Sequence, residues 1–307
     1  MRRRRVFGWV VLIAALTLVA AACAKDEGGG TGGGTVSESP TAEQDMLAGI
    51  LASGTLRVSS DNKYPPQSSF NDETGQWEGF DIDVATEIAT RLGVKADFVD
   101  TPWKAIISGN WNDRWDISVG SMTITPERAK VLYFTPPYYY TPAGFAVYET
   151  NTTIKSAADL TGKTVGVCGD CTYEYYLQGT LEIPDYPLEF QVQGADIMTY
   201  ETDLLAIDDL SLGDGARLDA AFSAIPTLQG AIDAGKPIKI VGPPLYYEPL
   251  GIGIDRAAPL DATSLLEKLS QIVADMHADG TLTELSMKWY GTDLTVEQGA
   301  VAVEPGA

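Results

Sequence analysis

The chain has 307 residues, 45% of them hydrophobic and 21% charged, enough for two ordinary domains and typical of a soluble globular protein. The formal net charge is −21, and loss of the four positive charges Arg2–Arg5 would take it to −25. No basic patch interrupts this acidity, which excludes nucleic acid, or an anionic membrane surface, as a partner held by charge.

The basic run Arg2–Arg5 and the apolar stretch Val6–Ala22 form an export signal over residues 1–22. Ala20-Ala21-Ala22-Cys23 resembles a bacterial lipoprotein cleavage box, in which Cys23 becomes the lipidated first residue. A membrane-spanning anchor is the alternative, but small residues meeting a cysteine favour lipidation. Either way the body lies outside the cytoplasm, on the outer face of the cell membrane or in a periplasm. Residues 23–45 include the glycine-rich run Gly28–Gly34, which cannot bury a core. As a coil this tether spans roughly 25 Å.

The body begins near Met46. Thr55–Ser59 reads as a strand, followed by a loop with Asp61, Tyr64, Pro65 and Pro66. Asp81 is placed to cap a helix whose face carries Val84, Ala85, Ile88, Ala89 and Leu92, ending at Gly93. Val94, Ala96 and Phe98 alternate as a strand, Trp103–Ser108 reads as a short helix and Asp116–Val119 as a third strand. This βαβα order implies a parallel sheet covered by helices. A helix is then predicted over Glu127–Leu132, and the proline- and tyrosine-rich segment Tyr133–Pro142 reads as a rigid connector that breaks any element. A second α/β unit follows. It has a strand from Phe145, a short helix at Ala158–Leu160, strand Thr164–Val167, helix Tyr173–Gln178, helix Asp203–Leu212 and strand Arg217–Phe222. Gly251–Ile254 reads as a returning strand, Leu265–Met276 as an amphipathic helix and Leu282–Trp289 as the last helix. His277, off the apolar face, reads as solvated, and residues beyond Asp293 as a loose tail.

Two motifs carry chemistry. In Ser121-Met122-Thr123-Ile124-Thr125-Pro126-Glu127-Arg128, Thr125 suits an N-cap and Pro126 the first helical position. Free N–H groups at such a helix start, the Arg128 guanidinium and the hydroxyls of Ser121 and Thr123 make a cradle for a carboxylate. In Cys168-Gly169-Asp170-Cys171, a disulfide is the default outside the cytoplasm, with a redox centre or half a metal site as alternatives. The redox signature is lacking, and zinc would need a second pair, so no metal or cofactor is expected. The chain has no Ser/His/Asp set, which argues against a hydrolytic enzyme.

An ordered set of stretches resembles the family-3 periplasmic solute-binding proteins, the polar amino-acid receptors of ATP-driven importers. These are Gly54–Val58 with Tyr64-Pro65-Pro66, Glu78–Ala85, Asp159–Val167, and Asp279–Leu282 with Lys288–Gly291. The resemblance covers about Leu51 to Gly291 and implies an α/β, two-lobed periplasmic-binding-protein-like fold of type II. Each lobe would be a mostly parallel sheet flanked by helices, joined by two hinge crossings. Lobe 1 would comprise 46–142 with 249–293, lobe 2 143–248, and the tail 294–307. The resemblance implies that Arg128 clamps the ligand carboxylate, that Thr123 donates to it, and that Ser121 lines the turn. It places Asp61 and Tyr64 near the ligand side chain, Trp103 over its apolar stem, and Thr172 in a lobe-2 loop that contacts the ligand at a helix start.

Two departures stand out. Asp170-Cys171 replaces the family's Gly-Thr, and Ala224 stands where the ammonium-binding Asp is expected. Asp170, Asp61 or Glu248 could supply that charge, or an opine, ectoine-like or quaternary-ammonium ligand could use the faces of Tyr64, Trp103 or Tyr138. The implied protein is a monomeric, lipid-anchored receptor serving an ABC permease and its ATPase. A ligand sensor and a dehydratase-like enzyme on the same fold are the rival readings.

Overall fold

The computed structural model describes residues 45–297. The signal segment, Cys23, nearly all of the tether and the tail from 298 lie outside them. The chain opens with α1 (Met46–Ser53), β1 (Thr55–Ser60) and a three-stranded hairpin sheet of β2 (Lys63–Tyr64), β3 (Ser68–Asn71) and β4 (Gln76–Glu78). Next come α2 (Phe80–Leu92), β5 (Lys95–Asp100), α3 (Trp103–Ile107), β6 (Ile117–Thr123), β7 (Leu132–Phe134) and β8 (Tyr139–Tyr148). The second unit holds β9 (Thr164–Cys168), α4 (Thr172–Leu177), β10 (Asp196–Tyr200), α5 (Asp203–Leu210), β11 (Ala220–Ala224) and α6 (Ile225–Asp233). The long β12 (Ile238–Asp255) leads back to α7 (Thr263–Ala278) and α8 (Thr281–Tyr290).

The main sheet has the order β10-β9-β11-β8-β12-β6-β1-β5, with β7 added beside β12. β1 lies parallel to β5 and β6, and β9 parallel to β10 and β11, as helical crossovers require. Between these halves, β8 and β12 run antiparallel to each other and to their neighbours. They are the outward and return passages of the chain. β8 runs straight through Pro142, which the sequence reading took as a break. In the pairing register Pro142 faces Tyr247 and Pro249 faces Tyr140. Proline's fixed φ fits an extended strand, and only its missing N–H weakens the ladder.

One core gathers Leu56, Val58, Val84, Ile88, Leu250, Ile252, Leu265, Leu269 and Met276. A second is built around Phe145, Val165, Val167, Tyr176, Phe222 and Tyr246. α2 shows why the pattern folds as it does. Val84, Ala85, Ile88, Ala89 and Leu92 are all buried, and Gly93 closes the helix at φ 74°, donating to Ala89 and Thr90 carbonyls. Each large side chain so covered contributes about 1.5–3 kcal/mol. The helix begins at Gly79 rather than at an Asp81 cap. Gly79 has φ 138°, and a Cβ there would lie 2.2 Å from the Gln67 carbonyl oxygen. This close approach lets the Asp81 N–H reach the Gln67 carbonyl and carries the Asp81 side chain inward.

Four further expectations change. The predicted helix at Glu127–Leu132 is a single 3-10 turn, Arg128–Lys130, because Leu132 already begins β7. β10 and α6 occupy stretches in which no element was predicted. His277 is half-buried, with Nε2 3.0 Å from the Pro137 carbonyl oxygen. Residues 294–297 are docked rather than loose. Leu294 is buried, its carbonyl accepts from Tyr140 N–H at 2.8 Å, and Glu297 accepts from the Tyr186 hydroxyl at 2.5 Å.

Candidate ligand-binding site

A cleft forms where the ends of β1 and β6 meet the loops after β9 and β10. Its lining includes Asp61, Tyr64, Trp103, Ser121, Thr123, Arg128 and Thr172, so seven of the eight predicted ligand residues converge. Strand ends are where a parallel sheet leaves backbone and loops free for a ligand. The space left between these side chains is about 50 Å³.

Arg128 is buried, and its Nη1 donates to the Thr123 carbonyl at 3.0 Å while Nη2 donates to the Asp170 carbonyl at 3.3 Å. The guanidinium lies over the Trp103 ring, 4.8 Å from its centre. Thr125 does act as the local cap, its Oγ1 accepting from the Arg128 N–H at 3.2 Å. Burial lowers the guanidinium from its usual value, and the charge of Glu248 is the largest influence restoring it.

Glu248 is the buried counter-charge of this arginine. It is 2% exposed, and Oε1 accepts from Thr123 Oγ1 at 2.8 Å and also from Thr172 Oγ1. Thr141 Oγ1 donates to its second oxygen at 3.3 Å. Burial raises the Glu248 carboxyl, against the hydrogen bonds and the Arg128 charge that lower it. Thr123, expected to donate to the ligand's carboxylate, and Thr172, expected to contact the ligand, here hold a carboxylate of the protein itself. Ser121 also departs from its expected role. At φ 52° it turns its hydroxyl onto Asp81 Oδ2 at 2.7 Å, while Tyr138 donates to Asp81 Oδ1 at 2.6 Å. Asp81 is fully buried, and burial pushes its carboxyl up to about 7. Tyr138 is therefore beneath the site, and its ring does not line the cleft.

Asp170 does not supply the charge missing at Ala224. It is the eighth predicted residue, and only its carbonyl faces the site, accepting from Trp103 Nε1 at 3.3 Å and from Arg128. Its carboxylate pairs outward with Lys104 Nζ at 3.1 Å. Asp203 and Glu201 also line the cleft and escaped the sequence reading. Asp203 follows the Thr202 N-cap, so it passed as an ordinary acid in a first helical turn. Its place just after β10, at the carboxyl end of a parallel strand, shows only once that strand, which was not predicted, is known. Asp203 is 6% exposed, and its Oδ1 accepts from Ser223 Oγ at 2.5 Å. Burial pushes its carboxyl up to about 7, with Asp61 and Glu248 adding to the rise. Four acids, Asp61, Glu201, Asp203 and Glu248, thus face one cation, Arg128.

Cys168 and Cys171 flank the site with Cα atoms 5.5 Å apart, within the span of a disulfide. Alkylation of the non-reduced mature protein, read by mass spectrometry, is expected to leave both unmodified. Two alkylated thiols before reduction would exclude the bridge.

Comparison with known proteins adds a family. A model of the bacterial extracellular solute-binding proteins, family 3, matches residues 56–292. The L-cystine-binding protein TcyJ of Escherichia coli (strain K12) is 31% identical over 256 residues, covering 83% of this chain and 89% of its own. The histidine-binding periplasmic protein of Salmonella typhimurium is 30% identical over 243 residues, 78% of this chain and 88% of its own. Among solved structures, the ancestral amino acid-binding protein AncCDT-1, a precursor of cyclohexadienyl dehydratase, superimposes with a TM-score of 0.68 at 32% identity. It covers 80% of this chain and 100% of that one. An ancestral arginine-binding protein bound to arginine gives 0.66 at 32% identity, covering 78% of this chain and 99% of that one.

Proposed function

The chain belongs to the bacterial extracellular solute-binding proteins of family 3, and on that premise we propose that it is the receptor of an ABC importer for an amino acid or a related carboxylate-bearing amine. Lobe 1 is residues 46–142 with 249–293, lobe 2 is 143–248, and the ligand lies in the cleft between them. Arg128 takes the carboxylate, Asp61 and Tyr64 line the pocket beyond it, and Trp103 covers the stem of the ligand. Cys23, lipidated, holds the protein at the outer face of the membrane, where the tether lets it reach a permease. A monomer suffices, because both halves of the site come from one chain.

The observation that carries this reading is a buried arginine in a cleft whose other charged lining residues are carboxylates, beside the rings of Tyr64, Trp103 and Tyr173. Such a site suits a molecule bearing both signs of charge, with an excess of positive charge favoured over negative. Relatives described as binding cystine, histidine and arginine are consistent with that charge class. The dehydratase connection of one structural neighbour belongs to the descendants of an amino acid-binding protein, so we read this chain as a receptor and not a catalyst.

The test is a thermal-shift panel of the L-amino acids with L-cystine, simple opines and compatible solutes. A ligand present at 100 times its Kd stabilises by about 2.7 kcal/mol. At least one cationic or zwitterionic amino acid is expected to raise Tm. A panel in which only a solute without a carboxylate does so would overturn the arginine-cradle reading.

A further inference from the structure

We propose that Asp203 receives the ligand's α-ammonium and that Asp61, facing it from the other side of the cleft, completes a clamp that closes only around a cation. This deepens the receptor reading and rests on it. Asp203 is more than nine-tenths buried, yet among the described residues no cationic side chain pairs with it. Ser223 Oγ donates to one of its oxygens, and no other side chain among the described residues donates to the second. A buried carboxylate left this way is destabilising, which a ligand cation in the same cleft would offset. Asp61 lies in the same lining, with one oxygen accepting from the Lys63 N–H at 2.7 Å. The other carboxylates there have different positions in the site. Glu248 is occupied by three threonine hydroxyls and balances Arg128.

The two acids sit on separate elements, Asp61 just beyond β1 and Asp203 at the head of α5. Two like charges brought together as the cleft closes repel, and a cation between them turns repulsion into attraction. The same contact therefore recognises the ammonium and stabilises the closed arrangement. It also explains how the chain manages with Ala224 at the end of β11. The adjacent Ser223 reaches Asp203, so the acid stands on α5 next to the strand end instead of on it.

The experiment measures calorimetric affinity of the mature protein for L-arginine, L-lysine, L-histidine, L-glutamine and L-cystine. The tightest of these is then compared with its 2-hydroxy acid, which keeps the carboxylate and side chain but lacks the ammonium. Wild type is expected to prefer the amino acid by at least 100-fold. Asp203→Asn should lose at least tenfold on the amino acid and change less than threefold on the hydroxy acid. Equal losses on both, or no loss on either, would overturn the clamp. Should Asp203→Asn not fold, a wild type that binds both compounds equally overturns it instead. If no L-amino acid or opine of the thermal-shift panel binds wild type, the receptor reading fails as well. If they bind, and Arg128→Ala abolishes binding while Asp203→Asn does not weaken it, only the clamp falls.

Discussion

Arg128→Ala is expected to abolish amino-acid binding, weakening it by at least about 100-fold in calorimetry, because truncating one partner of a buried charge pair costs 2–5 kcal/mol or more. The loss has two sources. The ligand's carboxylate loses its guanidinium, and Glu248 is left as a buried carboxylate without a counter-charge. Stability should therefore fall too. Arg128→Lys separates the two effects. It restores the charge opposite Glu248 but not the planar fork that bonds two carbonyls at once. Stability should largely recover while affinity stays low. Unchanged affinity in Arg128→Ala would show that the ligand does not use this arginine.

The second large effect concerns pH. Asp81 and Asp203 both have carboxyls pushed up to about 7 by burial, against 3.8 when unfolded. Between those values the folded protein holds protons that the unfolded chain has released. Stability must therefore rise as pH falls from about 7 towards 4, and decline as pH rises through that window. Each group contributes up to about 4 kcal/mol. Urea unfolding at pH 5 and pH 7.5 should show the protein more stable at the lower value. Asp81→Asn should flatten the slope and raise stability at pH 7.5, since the amide oxygen can still accept from one of Ser121 and Tyr138. A protein equally stable at both pH values, with no change in the variant, would refute this account.

Much of the fold was legible because it rests on local pattern. α2, α7 and α8 declare themselves by a single apolar face, and β1 and β5 by alternation. α6 was missed because Ala224-Ile225-Pro226 was not taken as a helix start, although proline suits a first helical turn. The 3-10 turn at Arg128 was over-read as a helix because a good cap says where a helix can begin, not whether β7 will cut it short. The same division holds in the site. Arg128 and Thr123 sit in one continuous run and could be read together. Asp203 could not, since what makes it unusual is its burial opposite Asp61, a product of tertiary packing across some 140 residues of chain. Glu248 was weighed as a partner for the ligand, but not as a partner for Arg128.

The outward and return passages of β8 and β12 also dictate an order of assembly. The core built on Phe145, Val165, Phe222 and Tyr246 has all its members in chain before residue 247. The other core lacks Leu250, Ile252, Leu265, Leu269 and Met276 until the chain is nearly complete. As the polypeptide emerges from its N-terminus, the inserted unit can condense first, while strands already made upstream stay partly uncovered. Those strands, β1 and β5, already lie under α2, but the core they share with α7 stays incomplete until that helix arrives. A core left incomplete in this way exposes apolar surface in the meantime. The vulnerable interval in this protein's biogenesis is thus the wait of its first half for its last fifty residues.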